Sequence, residues 1–326
     1  MYELIAKNKR KSVVVFFSMG ILLLGLGAAV GYWIAGDAGI IVGAVIALVV
    51  WGIQAIVAYR QGAKVILSGM NAKEIQKADD PMLYNIIEEL SMISGLKMPK
   101  IYLIDTDAMN AFAAGTKPES CVVAITRGLR DKLNRHEIQG VMAHEMSHIY
   151  NRDVLYMTFA GVMMGTIVII SEILRRTFFY GSMGRRSSND KGGTGQLIMI
   201  LLIVVMAVFA ALLARMFYFS LSRKREYLAD TMAVNFTHDP SALADALQKI
   251  SGDDTIFDPG KMASAMCISM PKIKEKATYL FSTHPPIRER IDILRAMSEG
   301  TTYENYCKAY KQVKGVDDLP KFKNKK

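Results

Sequence analysis

Two apolar runs open the chain. Val13 to Ala35 carries no charge, and Ala38 to Tyr59 has Gln54 as its most polar member. Each holds about twenty residues, the length a helix needs to cross ~30 Å of hydrocarbon. Gly36-Asp37 is the whole break between them, so the pair is expected to form an antiparallel hairpin. The first run is too long for the apolar core of a signal peptide and has no convincing cleavage site. Two further runs follow: Val154 to Leu174, containing only Glu172, and Gln196 to Phe219, containing only Arg215. Both charges read as pairing within a bundle or snorkelling to the interface. Between these runs lies Arg175 to Gly195, Gly/Ser-rich from Gly181 onward, which reads as flexible.

The polar stretches carry shorter periods. Pro81 to Ser94 sets Leu83, Ile86, Ile87 and Leu90 on one helical face. Lys100 to Asp105 and Cys121 to Thr126 read as short strands, with Met109 to Gly115 between them as an extended segment or turn. Asn134 to Asn151 reads as a helix capped by Asn134, with Glu137 three residues later. Asp239-Pro240 opens another helix through Ile250, and Pro286 to Met297 forms a third with Ile287, Ile291 and Leu294 inward. The class expected is mainly α with a small β-sheet.

Composition sharpens this. Hydrophobic residues make up 51%, charged residues 21%, and mean hydropathy is +0.20, a mix of membrane and aqueous globule. The net charge of +10 fits Lys and Arg flanking the spans, against anionic lipid. No zinc-knuckle spacing and no basic stripe interleaved with aromatics is present, so nucleic acid is not an expected partner. Lys7, Lys9, Arg10 and Lys11 precede the first run, and Arg60 and Lys64 follow the second. Their excess places both ends of the hairpin in the cytoplasm. The segment holding Arg175, Arg176, Arg185, Arg186 and Lys191 conflicts with that rule, because two full crossings export it. The run lengths favour crossing. Cys121, Cys267 and Cys307 are scattered and read as inert thiols in a reducing compartment. Lys321 to Lys326 reads as a solvated tail.

His144-Glu145-Met146-Ser147-His148 carries the chemistry. Residues four apart share a helix face, so His144 and His148 can meet one metal, with Glu145 beside them to take a proton from water. A catalytic zinc site takes a third protein ligand and keeps an open position. Glu226 and Asp230, four apart just after the last apolar run, supply a candidate ligand and a carboxylate to orient an imidazole. Alone, such a pair is weak. His284 precedes Pro285 and so sits on an extended lead-in to a helix, able to face a cleft. His136 and His238 read as structural.

Taken in order, several segments resemble the HtpX family of membrane zinc endopeptidases. They are the N-terminal hairpin, Asn110-Ala111-Phe112-Ala113, the helix through His148, Asn151-Arg152-Asp153, the second apolar pair, Glu226 to Asp230, and Thr283-His284-Pro285 followed by Arg288. That family is related to the CAAX prenyl-protein endopeptidases and to the gluzincins. The resemblance covers nearly the whole chain, with no departure at the catalytic positions. It implies one zinc ion (Zn2+) per subunit, on His144, His148 and Glu226. It implies that Glu145 and His284 are catalytic, His284 stabilising the oxyanion. It gives Asn110, Ala111, Phe112 and Ala113 the substrate backbone to hold, and Asp153 the histidine helix to support. It implies polypeptide substrates, unfolded or membrane proteins, and a role in quality control.

The expected architecture is four transmembrane helices plus a gluzincin-like cytoplasmic metalloprotease domain, multi-pass in the inner (plasma) membrane. Residues 1–60 form the first hairpin, 61–152 the first part of the catalytic domain, 153–220 the second hairpin with its basic loop, and 221–326 the part bringing the third ligand. His148 precedes Val154, and Glu226 follows Phe219, by about 10 Å of helix each. The metal is therefore expected about 10 Å from the membrane boundary. An intramembrane protease is disfavoured, since Arg135, His136, Glu137, Asn151, Arg152 and Asp153 flank the motif. A scaffold or transporter with a fortuitous motif predicts no zinc.

Overall fold

The computed structural model describes residues 2–184, 224–255, 266–268, 285–297 and 300–320. Helix α1 (Tyr2–Ser68) is two helices joined at a break, with Ala35 and Gly36 out of helical geometry. Gly36 has φ of 64°, a left-handed conformation that glycine adopts at little cost. The halves then fold back on each other, so close that a Cβ on Gly31 would lie 2.0 Å from the Gly39 carbonyl oxygen. Small residues permit this backbone contact, as at membrane helix interfaces. Ile21, Ile34 and Ile41 point outward and are at least two-thirds exposed, as an acyl-chain environment allows. Among the described residues, α1 contributes the one helical stretch, Phe16–Ser68, long and apolar enough to cross a membrane.

The soluble part follows. Strand β1 (Lys73–Ile75) leads to helix α2 (Pro81–Ser94), whose N-cap Asp80 accepts from the Leu83 N–H at 3.1 Å. Its expected face, Leu83, Ile86, Ile87 and Leu90, is wholly buried. Strands β2 (Lys100–Ile104), β3 (Ala111–Ala114) and β4 (Val122–Thr126) complete a mixed sheet in the order β1-β2-β4-β3. The β2–β4 pair is parallel and the others antiparallel, which leaves β3 at an edge. Helix α3 (Arg127–Lys132) starts directly from β4, capped by Thr126.

Helix α4 (Arg135–Tyr150) begins with a full capping box. The Glu137 N–H donates to Asn134 at 3.0 Å, and the Asn134 N–H donates to Glu137 at 2.8 Å. Helix α5 (Asp153–Gly184) runs beyond the expected end at Leu174, and Glu172 pairs with Arg176 one turn on at 2.7 Å. It packs on the α1 hairpin, where the Phe159 ring meets Phe16, itself stacked on Trp51.

Helix α6 (Lys224–Thr237) lies against α4, and so does α7 (Pro240–Gly252), capped by Asp239. Gly140 permits the α4–α7 approach, since a Cβ there would lie 2.8 Å from the Leu243 nitrogen. Helix α8 (Ile287–Arg295) packs on α7, and helix α9 (Tyr303–Lys314) packs on α8. The fold is thus mostly helical around a small mixed sheet. The run Gln196 to Phe219, with Arg215, and the basic stretch from Arg185 lie outside the described residues.

Candidate active site

The α4 helix places His144 and His148 one turn apart on one face. Each ring turns its Nδ1 to a carboxylate: His144 to Asp230 at 2.9 Å, His148 to Asp153 at 3.1 Å. A carboxylate on Nδ1 fixes that nitrogen as the donor and leaves Nε2 facing inward. The two Nε2 atoms lie 3.2 Å apart. Asp153 reaches His148 because Arg152, at φ of 59°, breaks the chain between α4 and α5. This left-handed geometry is uncommon for a side-chain-bearing residue.

Helix α6 brings Glu226 to the same point, 3.6 Å from His144 Nε2 and 3.7 Å from His148 Nε2. One turn on, Asp230 is fully buried between His144 and Arg290 from α8. Arg290 grips it with two bonds, Nε at 2.9 Å and Nη2 at 2.6 Å. Burial opposes ionisation of Asp230, but the charges and hydrogen bonds of Arg290 and His144 together outweigh it and hold the carboxyl below its usual range. Burial likewise opposes protonation of His148, yet Asp153 and Glu226 raise it to about 9. His144 is also raised: burial and Arg290 oppose, while Asp230 and Glu226 prevail.

This donor set fits a divalent cation. Ligand atoms from His144, His148 and Glu226 all lie within 4.8 Å of one another, and two imidazoles with one carboxylate suit zinc. The carboxylates of Glu145, Asp153, Glu226 and Asp230 crowd the buried site, and their field attracts positive charge. Glu145 itself faces the cavity. Neither of its buried oxygens has a hydrogen-bond partner among the described residues. Burial lifts its carboxyl to about 7, against the pull of both imidazoles.

The site cavity is small, about 20 Å³, room for one water. Ala113, Val154, Met157, Met266 and Ile268 supply its apolar wall, and Arg225 lines it beside the metal-ligand candidates. Val154 and Met157 belong to the apolar run. The first turn of α5 therefore lines the site.

Edge strand β3 runs beside the cavity. The Asn110 carbonyl accepts from the Thr126 N–H of β4 at 3.0 Å, so by strand alternation Ala111, Ala113 and Gly115 turn their backbone groups outward. The Ile268 N–H donates to the Ala111 carbonyl at 2.9 Å, and the Gly115 N–H donates to Thr158 at 2.8 Å. Ala113 sits between these two self-bonded positions. The side chains of Asn110, Ala111 and Phe112 are buried with it.

The structure thus brings His144, Glu145, His148, Glu226, Asp230, Asp153 and Ala113 together. His284 lies outside the described residues. Arg288 is exposed on α8 and does not face the site, and its helix instead sends the fully buried Arg290 there. Sequence reasoning missed Arg290. The signal was present: on α8 it falls on the stripe of Ile287, Ile291 and Leu294, and a charge on an apolar stripe marks a buried ion. Also missed were Arg225, Thr158 and the Met266–Ile268 segment, none of which sits in a motif. His136 and His238 stay away from the site, His238 bonding Thr301 at 2.9 Å.

Known proteins resemble this chain over most of its length. The model of peptidase family M48 matches residues 77–298. A protease HtpX homolog of Ligilactobacillus salivarius is 40% identical over 297 residues, covering 91% of this chain and all of the relative. Another, of Dictyoglomus turgidum, is 42% identical over 303 residues, covering 91% of this chain and 95% of the relative. The crystal structure of S. mikatae Ste24p aligns with 89% of this chain and 66% of its own, at 18% identity and a TM-score of 0.46. With a family match across most of its length and close relatives matched nearly end to end, the chain belongs to peptidase family M48, among its HtpX proteases.

Proposed function

We propose that this membrane-associated metalloprotease is a zinc-dependent endopeptidase that cleaves unfolded or misfolded membrane proteins at the cytoplasmic face of the inner membrane. The supporting observation is the convergence of two inward Nε2 atoms and the Glu226 carboxylate beside the bare, buried carboxylate of Glu145. His144, His148 and Glu226 hold the ion. When bound, it supplies Lewis acidity toward a carbonyl and toward water. Glu145 takes the proton of the attacking water on its carboxylate and passes it to the leaving amine. His284 donates to the oxyanion. Asp230 and Asp153 keep the imidazoles in the tautomer that faces inward. The substrate backbone pairs with the outward groups of Ala113 on the edge formed by Asn110, Ala111, Phe112 and Ala113. Pairing through the backbone makes side-chain specificity loose.

The metal dependence has a direct test. A strong chelator should abolish cleavage of an unfolded membrane protein by the detergent-purified chain, and added zinc should restore it. His144→Ala should hold well under one zinc per chain and stay inactive. Full cleavage by metal-stripped protein would sink the reading.

The four-span arrangement follows from both catalytic halves, 61–152 and 221–326, sharing one ion and hence one side of the bilayer. Hairpins 1–60 and 153–220 then anchor them, with the cytoplasmic side set by the charges around α1. Protease added to sealed vesicles should cut near Arg185 only from the face opposite the active site. Cutting from the same face means that the second pair does not cross.

A further inference from the structure

We propose that Arg225 is the cation that receives a negatively charged substrate oxygen inside the catalytic cavity; this rests on the peptidase reading above. Arg225 opens α6 one residue before Glu226 and is 5% exposed. Its buried Nε has no hydrogen-bond partner, and among the described residues its guanidinium makes no ion pair. Arg290 is the contrast, fully buried and held by Asp230 at two nitrogens. Burying a charge without a partner is costly, and such groups concentrate where a ligand completes them.

The ligand is defined by what Arg225 lines. It shares the cavity with His144, Glu145, His148 and Glu226, beside an apolar wall. Burial and little room for water strengthen a charge–charge contact there. A guanidinium presents a planar fork of donors matched to an anionic oxygen. A peptide offers two such oxygens: the oxyanion that develops at the scissile carbonyl and, where cleavage falls near the end of a short peptide, its C-terminal carboxylate. Both satisfy the same fork.

The test uses full-length, zinc-loaded Arg225→Met and Arg225→Gln on one peptide in two forms, free acid and C-terminal amide. Zinc content should match wild type in both variants, and the methionine variant should melt no lower, since it removes an uncompensated charge. On the peptide that presents the contacted oxygen, kcat/KM should fall about a hundredfold or more, the range for losing one oxyanion donor. Equal loss on both peptides assigns the oxyanion, and loss confined to the free acid assigns the terminal carboxylate. Unchanged kcat/KM on both peptides overturns the proposal. So does a loss that follows missing zinc or a lowered melting temperature in both variants, which marks Arg225 as structural. Failure of the peptidase reading shows earlier and separately, as wild-type protein that cleaves neither peptide, and the proposal then falls with it.

Discussion

Glu145→Gln is expected to lower turnover about a thousandfold or more while zinc stays bound. An amide has the shape of the carboxylate and cannot accept a proton, and general acid–base catalysis is worth roughly 10²–10⁴ in rate. Glu145 is not among the three converging ligand candidates, so the metal site should survive the exchange. The pH dependence gives a second readout. A proton acceptor must be ionised, so wild-type kcat/KM should fall on the acid side. Burial places the Glu145 carboxyl at about 7, and a bound cation pulls it back toward the ordinary carboxylate range. The acid limb should therefore lie between those bounds. Stability moves oppositely. A carboxyl raised on folding stabilises the fold when protonated, and that contribution is lost as pH rises from the usual 4.5 through about 7. Metal-stripped Glu145→Gln should accordingly melt higher than metal-stripped wild type above pH 7. A variant that keeps a tenth of wild-type turnover would remove Glu145 from the chemistry.

Much of this site was legible in the sequence because its parts are local. The i, i+4 spacing of His144 and His148 states that they share a face, and the Asn134 cap states where their helix begins. The hairpin was legible for the same reason: two uninterrupted apolar runs with Gly36 at the break leave one way to fold. What was hidden is tertiary. Arg290 meets His144 across 146 positions, a contact no spacing encodes. The Ile268–Ala111 bond likewise joins segments far apart in the chain. The break at Arg152 was hidden for another reason. An arginine carries no turn signal, and its left-handed backbone is stabilised by what Asp153 gains at His148. Strand β1 and helix α9 were not anticipated either. Lys73–Ile75 is too short to show alternation, and α9 buries mainly tyrosines, Tyr306 and Tyr310, in a segment otherwise rich in charge.

Arg290→Met should be the most damaging change outside the ligands. It strands the Asp230 carboxylate, 0% exposed, without its guanidinium partner and with only His144 left to offset burial. Removing one partner of a buried ion pair costs about 3–5 kcal/mol. The melting temperature should drop accordingly, and zinc affinity should fall about 10–100-fold as Asp230, no longer braced by Arg290, holds the His144 ring less firmly. Arg290→Lys should rescue little, because one ammonium cannot replace two guanidinium bonds at 2.9 and 2.6 Å. The double change Arg290→Met with Asp230→Leu separates the two roles of the pair. Stability should recover, because no buried charge is left alone, while zinc affinity stays low, because His144 Nδ1 has no carboxylate. If Arg290→Met alone keeps wild-type stability and zinc affinity, Asp230 does not depend on Arg290 for its charge, and the chain of contacts from α8 through α6 to the histidine helix carries no load.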